Sequence, residues 1–247
     1  MPELSERAKL HLWRAGLTLL VLAGIWWVRD AGWEVVWQAF PFLLRGLGVS
    51  CLLTGITVLI GLVVGALLAT ARMYGPVVLR QLAVGYIETL RAVPQLMVIF
   101  WVFYTWPALT GRNIPGWSAA VISLSLIASA YMAEVTRAGL LSVPRTQWES
   151  AYVTGLTSAQ CMLRIILPQA TRNMLPALIS HFIMMFKTTS LVYVVGIIDF
   201  FRATIIVNNR DFAPGALYLT MGLGYFLCCY ALSWLVRRLE PRYALTT

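Results

Sequence analysis

Residues Gln147 to Ala170 read QWESAYVTGLTSAQCMLRIILPQA, a polar and well punctuated stretch in a chain whose other long segments are apolar. Composition sets how this stretch is to be read. The 247 residues are 60% apolar and 12% charged, with a mean hydropathy of +0.77, far outside the mix of a soluble domain. An all-α integral membrane protein is expected. Each crossing takes about 20 residues plus a loop, so a few crossings consume the chain and leave no room for a soluble catalytic domain.

Charge-free windows mark the spans. The clearest runs from Gly46 to Ala71, 26 residues between Arg45 and Arg72. Ala92 to Gly111, Asn113 to Ala133 and Phe212 to Val236 are also uncharged, and Asn173 to Ile198 is interrupted only by Lys187. These five core spans are joined by an expected extra N-terminal span, Leu10 to Val28, which lacks a small-x-small cleavage site before Arg29 and carries the bulky pair Trp26 and Trp27. Between it and the second span, Trp33 to Leu44 holds aromatics and Pro41, and reads as a short helix on the outer surface. The expected division is residues 1–45 for these N-terminal elements and residues 46–240 for the transmembrane domain.

The 19 Lys and Arg, with a formal charge of +9, stand singly between apolar runs and form no basic stripe, so no nucleic-acid partner is expected. Positive-inside topology accounts for them. Arg72, Arg80, Arg91, Arg137, Arg145, Arg164 and Arg172 fall on one side with both termini, which makes that side the cytoplasm. The other side holds Arg202 and Arg210 with the acidic neighbours Asp199 and Asp211. The four cysteines, Cys51, Cys161, Cys228 and Cys229, have no metal-ligand spacing and read as reduced thiols packed as small apolar groups. No metal is expected.

Under this topology the quoted stretch lies in the longest cytoplasmic connection, as two short helices over about residues 144–168. Thr146-x-x-Glu149 and Thr157-x-x-Gln160 each have capping-box spacing. Gly155 can take the left-handed conformation that ends the first helix, and Pro168 limits continuation of the second. Trp148, Ala151, Tyr152, Met162, Ile165 and Ile166 supply an apolar side.

Glu149-Ser150-Ala151, then Gly155, then Ile165-x-Leu167-Pro168 resembles the EAA motif of ABC importer permeases, with Ser150 where that family usually has Ala. The resemblance extends through YIETLRAVPQL (Tyr86 to Leu96), AYMAEVTRAGLLSV (Ala130 to Val143), ILPQATRNMLP (Ile166 to Pro176) and KTTSL (Lys187 to Leu191), which are similar to the polar-amino-acid branch. SLVYVVGIIDFFR (Ser190 to Arg202) is most similar to glutamate/aspartate permease subunits. The resemblance implies the transmembrane domain of a type I ABC importer in the bacterial cytoplasmic membrane. It further implies two copies of a cytoplasmic ATPase that bind ATP and Mg, a second permease of the same or a different chain, and an external amino-acid-binding protein. The two short helices would dock into the ATPase, with Glu149, Ser150, Ala151, Gly155, Ile165, Leu167 and Pro168 carrying the coupling. The chain has no GxxxxGK[ST] phosphate loop, so it is expected to bind no cofactor itself and to be no enzyme.

Ionisable groups within spans are costly and mark candidate functional sites. Glu88 with Arg91 and Glu134 with Arg137 are i, i+3 pairs at span ends, expected to neutralise each other within their helices. Lys187 lies 11 residues beyond Pro176 and precedes Thr188, Thr189 and Ser190, which makes the middle of that span polar. Arg91 and Gln95 flank Pro94, a proline that kinks the start of its span. The expected substrate pathway is therefore Lys187, Thr188, Thr189, Ser190, Gln95 and Arg91. The resembling family often has an acidic or amide residue where Thr188 stands, so the patch here is net positive and suits an anionic amino acid. Gly61-x-x-x-Gly65-x-x-x-Ala69 is a small-residue ridge expected to let another helix come close. The alternative class is an ion-coupled secondary carrier, for which neither an internal repeat nor a central carboxylate is present.

Overall fold

The longest helix is also the one in which proline fails to act as a breaker. In the computed structural model, which describes residues 32–243 with side chains to Trp234 and, before residue 32, only residues 13, 14, 16, 18 and 24, helix α1 runs unbroken from Trp33–Tyr74 through Pro41. The separate surface helix expected over Trp33 to Leu44 does not form. A proline inside a helix costs about 3 kcal/mol, but Val36, Ala39 and Leu43 on the same turns are buried against Phe200, Ala203, Val207, Ala216 and Leu217. Five or more buried apolar side chains at roughly 1.5–3 kcal/mol each outweigh that cost. The span expected over Leu10 to Val28 lies almost wholly outside the described residues.

After α1 come α2 (Val77–Ala92), α3 (Gln95–Thr110, with a wide π turn at Trp101–Thr105), α4 (Gly116–Leu141), α5 (Arg145–Val153), α6 (Ser158–Cys161), α7 (Leu167–Thr188), α8 (Phe200–Asp211) and α9 (Pro214–Tyr243). Trp33–Tyr74, Gly116–Leu141, Ser158–Val195 and Pro214–Trp234 are long and apolar enough to cross a membrane, and α2 with α3 adds a fifth candidate bent by 113° at Val93 and Pro94. Pro94 stands as the N-cap of α3, where its missing N–H has no helical partner to lose. The kink expected from the sequence is thus a sharp reversal of direction.

Helix α4 forms the centre. Its Ala- and Ser-rich sequence presents little side-chain volume, so neighbours approach its backbone, and Ala119, Ala120, Leu124, Ile127, Ala128, Ala130, Met132 and Ala133 are inaccessible to solvent. The ridge on α1 meets it directly. A Cβ added to Gly61 would lie 2.6 Å from the Cβ of Ala128, and one added to Gly65 would lie 2.7 Å from the Cβ of Met132. The expected close approach is therefore an internal helix pair. Cys51, Cys161, Cys228 and Cys229 are all free thiols.

Asp199, read from the sequence as an acidic neighbour of Arg202, is fully buried. It caps α8, accepting from the backbone N–H of Phe201 at 3.1 Å and of Arg202 at 3.0 Å, while the N–H of Phe200 donates to Ser50 Oγ of α1 at 3.2 Å. Burial raises its pKa from 3.8 to about 6, against these backbone hydrogen bonds and the nearby Arg202. A carboxyl whose folded pKa is raised favours the fold most when protonated, and this contribution is lost as pH rises from the unfolded value through the folded one. The purified protein is expected to melt at a higher temperature at pH 5.5 than at pH 7.5 in this respect, and Asp199→Asn is expected to flatten the slope. An unchanged slope in thermal melts of that variant would assign the pH dependence elsewhere.

Candidate coupling helices and substrate pathway

At one end of the bundle, α5 and α6 stand on a small apolar base. Ala151, Cys161, Ile166 and Ala170 are buried with Val135 and Leu140 of α4, and Trp148, Met162 and Ile165 pack on them. Tyr152, expected on this side, is 50% exposed and faces outward. The motif residues therefore divide. Ala151 and Ile165 hold the pair onto α4 and α7, whereas Glu149, Ser150, Gly155, Leu167 and Pro168 are exposed.

Of the two expected capping boxes, the second forms. Gln160 N–H donates to Thr157 Oγ1 at 3.3 Å and Thr157 N–H to Gln160 Oε1 at 3.1 Å. The first does not, because α5 begins two residues early, at Arg145 after Pro144, and places Thr146 inside the first turn with no capping bond. Gly155 adopts φ +79° as expected, and a Cβ there would meet nothing within 4 Å. Its role in this chain is conformational, ending α5 after Thr154. Pro168 does not stop the second helix. The chain widens into a π turn at Met162–Ile166, Pro168 then falls in the first turn of α7, and the helix runs on to Thr188. The wide turn absorbs the carbonyl that the proline ring would otherwise strike.

The residues expected along the substrate pathway are sorted into three places. Gln95, Lys187, Thr188 and Ser190 line a cavity of about 320 Å³ together with Ser180, Ile183, Met184 and Leu191. The Thr188 hydroxyl donates to Gln95 Oε1 at 3.0 Å, joining α7 to α3 across 93 residues of sequence. Thr189 is inaccessible, its hydroxyl turned back to the carbonyl of Phe186 at 2.8 Å, and lines nothing. Arg91 belongs to a different cavity. Lys187 is exposed, and among the described residues no carboxylate lies within 4 Å of it.

Arg91 does not pair with Glu88 as expected but turns to Glu134, 3.9 Å away. Glu134 also takes Arg137, its expected partner one turn on, and Arg72 from the end of α1 at 2.9 Å. Three helices are thereby tied through one carboxylate. Asn173, Tyr131 and His181, none of them singled out by sequence, complete this second cavity. Tyr131 lies three residues before Glu134, but no local pattern pairs it with His181 fifty residues on.

Comparison with known proteins agrees with this architecture. Residues 61–245 match the family described as binding-protein-dependent transport system inner membrane component. The glutamate/aspartate import permease protein GltK of Escherichia coli O6:H1 (strain CFT073) is 34% identical over 220 residues, 86% of this chain and 98% of that protein. The L-cystine transport system permease protein TcyB of Bacillus subtilis (strain 168) is 34% identical over 212 residues, 85% of this chain and 90% of that one. A crystal structure of an amino acid ABC transporter with histidines superposes with a TM-score of 0.78 at 33% identity, covering 83% of this chain and 95% of the matched one. A polar helix pair set on an apolar helical bundle, matched over most of the chain by such relatives, leads to one conclusion: the chain belongs to the binding-protein-dependent inner membrane component family, as a multi-pass permease of an amino acid ABC importer and not itself an ATPase.

Proposed function

We propose that this permease takes up an acidic amino acid, glutamate or aspartate, in a complex with two copies of a cytoplasmic ATPase, a second permease and an external binding protein. The observation that carries the substrate class is Lys187. It sits on a membrane-spanning helix beside the polar groups of Gln95, Thr188 and Ser190, with no carboxylate within 4 Å among the described residues. An uncompensated cation at that position is costly unless water or an anionic ligand reaches it. The name of the GltK relative supports the same reading, although TcyB is equally identical and its name gives cystine.

In this reading the α5 end faces the cytoplasm, as do both termini. Glu149, which has no cation within 4 Å among the described residues, offers its carboxylate to a basic or hydroxyl group of the ATPase. Ser150, Leu167 and Pro168 form the surrounding surface, Ala151 and Ile165 fix the helices to the bundle, and Gly155 lets a partner backbone approach. ATP and Mg are bound by the ATPase, and closure of the ATPase pair moves α5 and α6 with the spans on which they stand.

Lys187→Met is expected to lower the initial rate of acidic amino acid uptake into proteoliposomes by about tenfold or more, the worth of one charge-assisted hydrogen bond, while basal ATP hydrolysis changes little. Equal loss of uptake and hydrolysis would instead give Lys187 a role in folding or coupling.

A further inference from the structure

The cavity beside Glu134 holds more cationic and hydrogen-bonding capacity than the protein uses. Three guanidiniums, those of Arg72, Arg91 and Arg137, face one carboxylate, an excess of two positive charges. Glu134 is already engaged on both oxygens, Oε1 by Arg137 and Oε2 by Arg72 at 2.9 Å. Arg91 is left with a 3.9 Å contact, too long for a hydrogen bond, and its guanidinium carbon lies 5.7 Å from the centre of the Tyr131 ring. Its planar donor fork has no hydrogen-bond acceptor among the described residues. Behind it, the Tyr131 ring packs on His181 with centroids 5.2 Å apart, and His181 Nδ1 is buried without a partner. Asn173 reaches across from α7 to Ser142 Oγ at 2.8 Å and closes the far rim.

The volume of this open cleft is about 440 Å³, within the range of roughly 300–1,000 Å³ of small-molecule sites. An unused guanidinium fork backed by an aromatic ring is suited to a carboxylate, which it can hold with two parallel hydrogen bonds. The amide oxygen of Asn173, whose nitrogen donates to Ser142 Oγ, can accept from an ammonium. The site is also adjacent to the Lys187 cavity, since Ala177 and Ser180, three residues apart on α7, line the two in turn.

We propose that this cavity is a second ligand site, at the α5 end of the bundle, that binds the carboxylate of a small amino acid through Arg91. Its placement as a cytoplasmic station rests on the topology proposed above. Such a ligand has two sources: substrate leaving after transport, or amino acid already accumulated in the cytoplasm.

The test is equilibrium binding of radiolabelled L-glutamate to the full transporter complex in nanodiscs, without the external binding protein, in wild type, Arg91→Gln, Lys187→Met and the double variant. Binding that survives Lys187→Met and weakens about tenfold or more on adding Arg91→Gln, the worth of a charge-assisted hydrogen bond, is the expected result. Asn173→Ala, at the exposed rim, is expected to weaken the same component and guards against misfolding of the arginine variant. If no component of binding responds to Arg91→Gln or Asn173→Ala in folded complexes, the site is overturned. That outcome is separate from failure of the transport reading, because uptake of acidic amino acids is measured independently in proteoliposomes. The source is settled by preloading those proteoliposomes: glutamate on the ATPase side slows wild-type uptake but not that of Arg91→Gln if accumulated amino acid is the ligand, and slows neither if only departing substrate occupies the site.

Discussion

Replacing Gly155 by aspartate is expected to abolish binding-protein-stimulated ATP hydrolysis in the reconstituted complex while the permease remains folded in the membrane. The reason lies in what surrounds Gly155. Its φ is +79° and nothing in the chain lies within 4 Å of a Cβ built there. Asp and Asn are the L residues that enter this left-handed region most readily, and the space is open, so the cost to the permease is at most about 1–2 kcal/mol. In the complex proposed above, the damage instead falls on the partner surface, because the variant places a carboxylate where the ATPase backbone is proposed to approach. Gly155→Asn has the same shape without the charge, so it is expected to retain more coupling than the aspartate variant. Wild-type stimulation in Gly155→Asp, measured as phosphate release, would remove Gly155 from the coupling surface.

The second large effect is on the fold. Gly65→Leu is expected to prevent recovery of folded protein, because its Cβ would stand 2.7 Å from the Cβ of Met132, 2.8 Å from the backbone nitrogen of Ala133 and 2.9 Å from the carbonyl oxygen of Ser129. Two of these atoms are backbone and cannot move aside without separating α1 from α4. Overpacking typically costs 1–3 kcal/mol where side chains can adjust, so a clash with backbone is expected to cost more than about 3 kcal/mol. Gly55→Leu on the same helix, where a Cβ meets nothing within 4 Å, is the control and is expected to be recovered at the wild-type level. Equal yields and equal melting temperatures of the two variants would show that the α1–α4 contact is not tight in the folded protein.

Several features of this fold were legible because their physics is local. A charge-free run such as Gly46 to Ala71 has one low-energy environment, and Thr157-x-x-Gln160 closes its own hydrogen bonds within one turn. The sign of φ at Gly155 followed from its place between two short amphipathic runs. What misled were prolines. Pro41 and Pro168 are tolerated inside helices because distant residues, or a widened turn, compensate for them, and neither compensation shows in the neighbouring sequence. Pro144 pre-empted the cap expected at Thr146 by starting the helix early.

The candidate sites follow the same division. Lys187 stood out from sequence because a cation in an apolar run is conspicuous, whereas the hydrogen bond that joins its neighbour Thr188 to Gln95 spans 93 residues and could not be read there. The convergence of Arg72, Arg91 and Arg137 on Glu134 was invisible, since Arg72 lies 62 residues away and only the i, i+3 partner is a sequence neighbour. The burial of Asp199 was invisible for a related reason: the residues that bury it, Gly46 and Ser50 among them, come from the far end of the chain.

Reconstitution separates a motor-driven permease from a self-sufficient carrier most directly. Proteoliposomes holding this chain, its second permease and the ATPase are predicted to accumulate amino acid only with ATP on the α5 side and the binding protein outside, and to lose all uptake when the ATPase is omitted. Accumulation driven by an ion gradient in vesicles containing this chain alone would contradict coupling through α5 and α6.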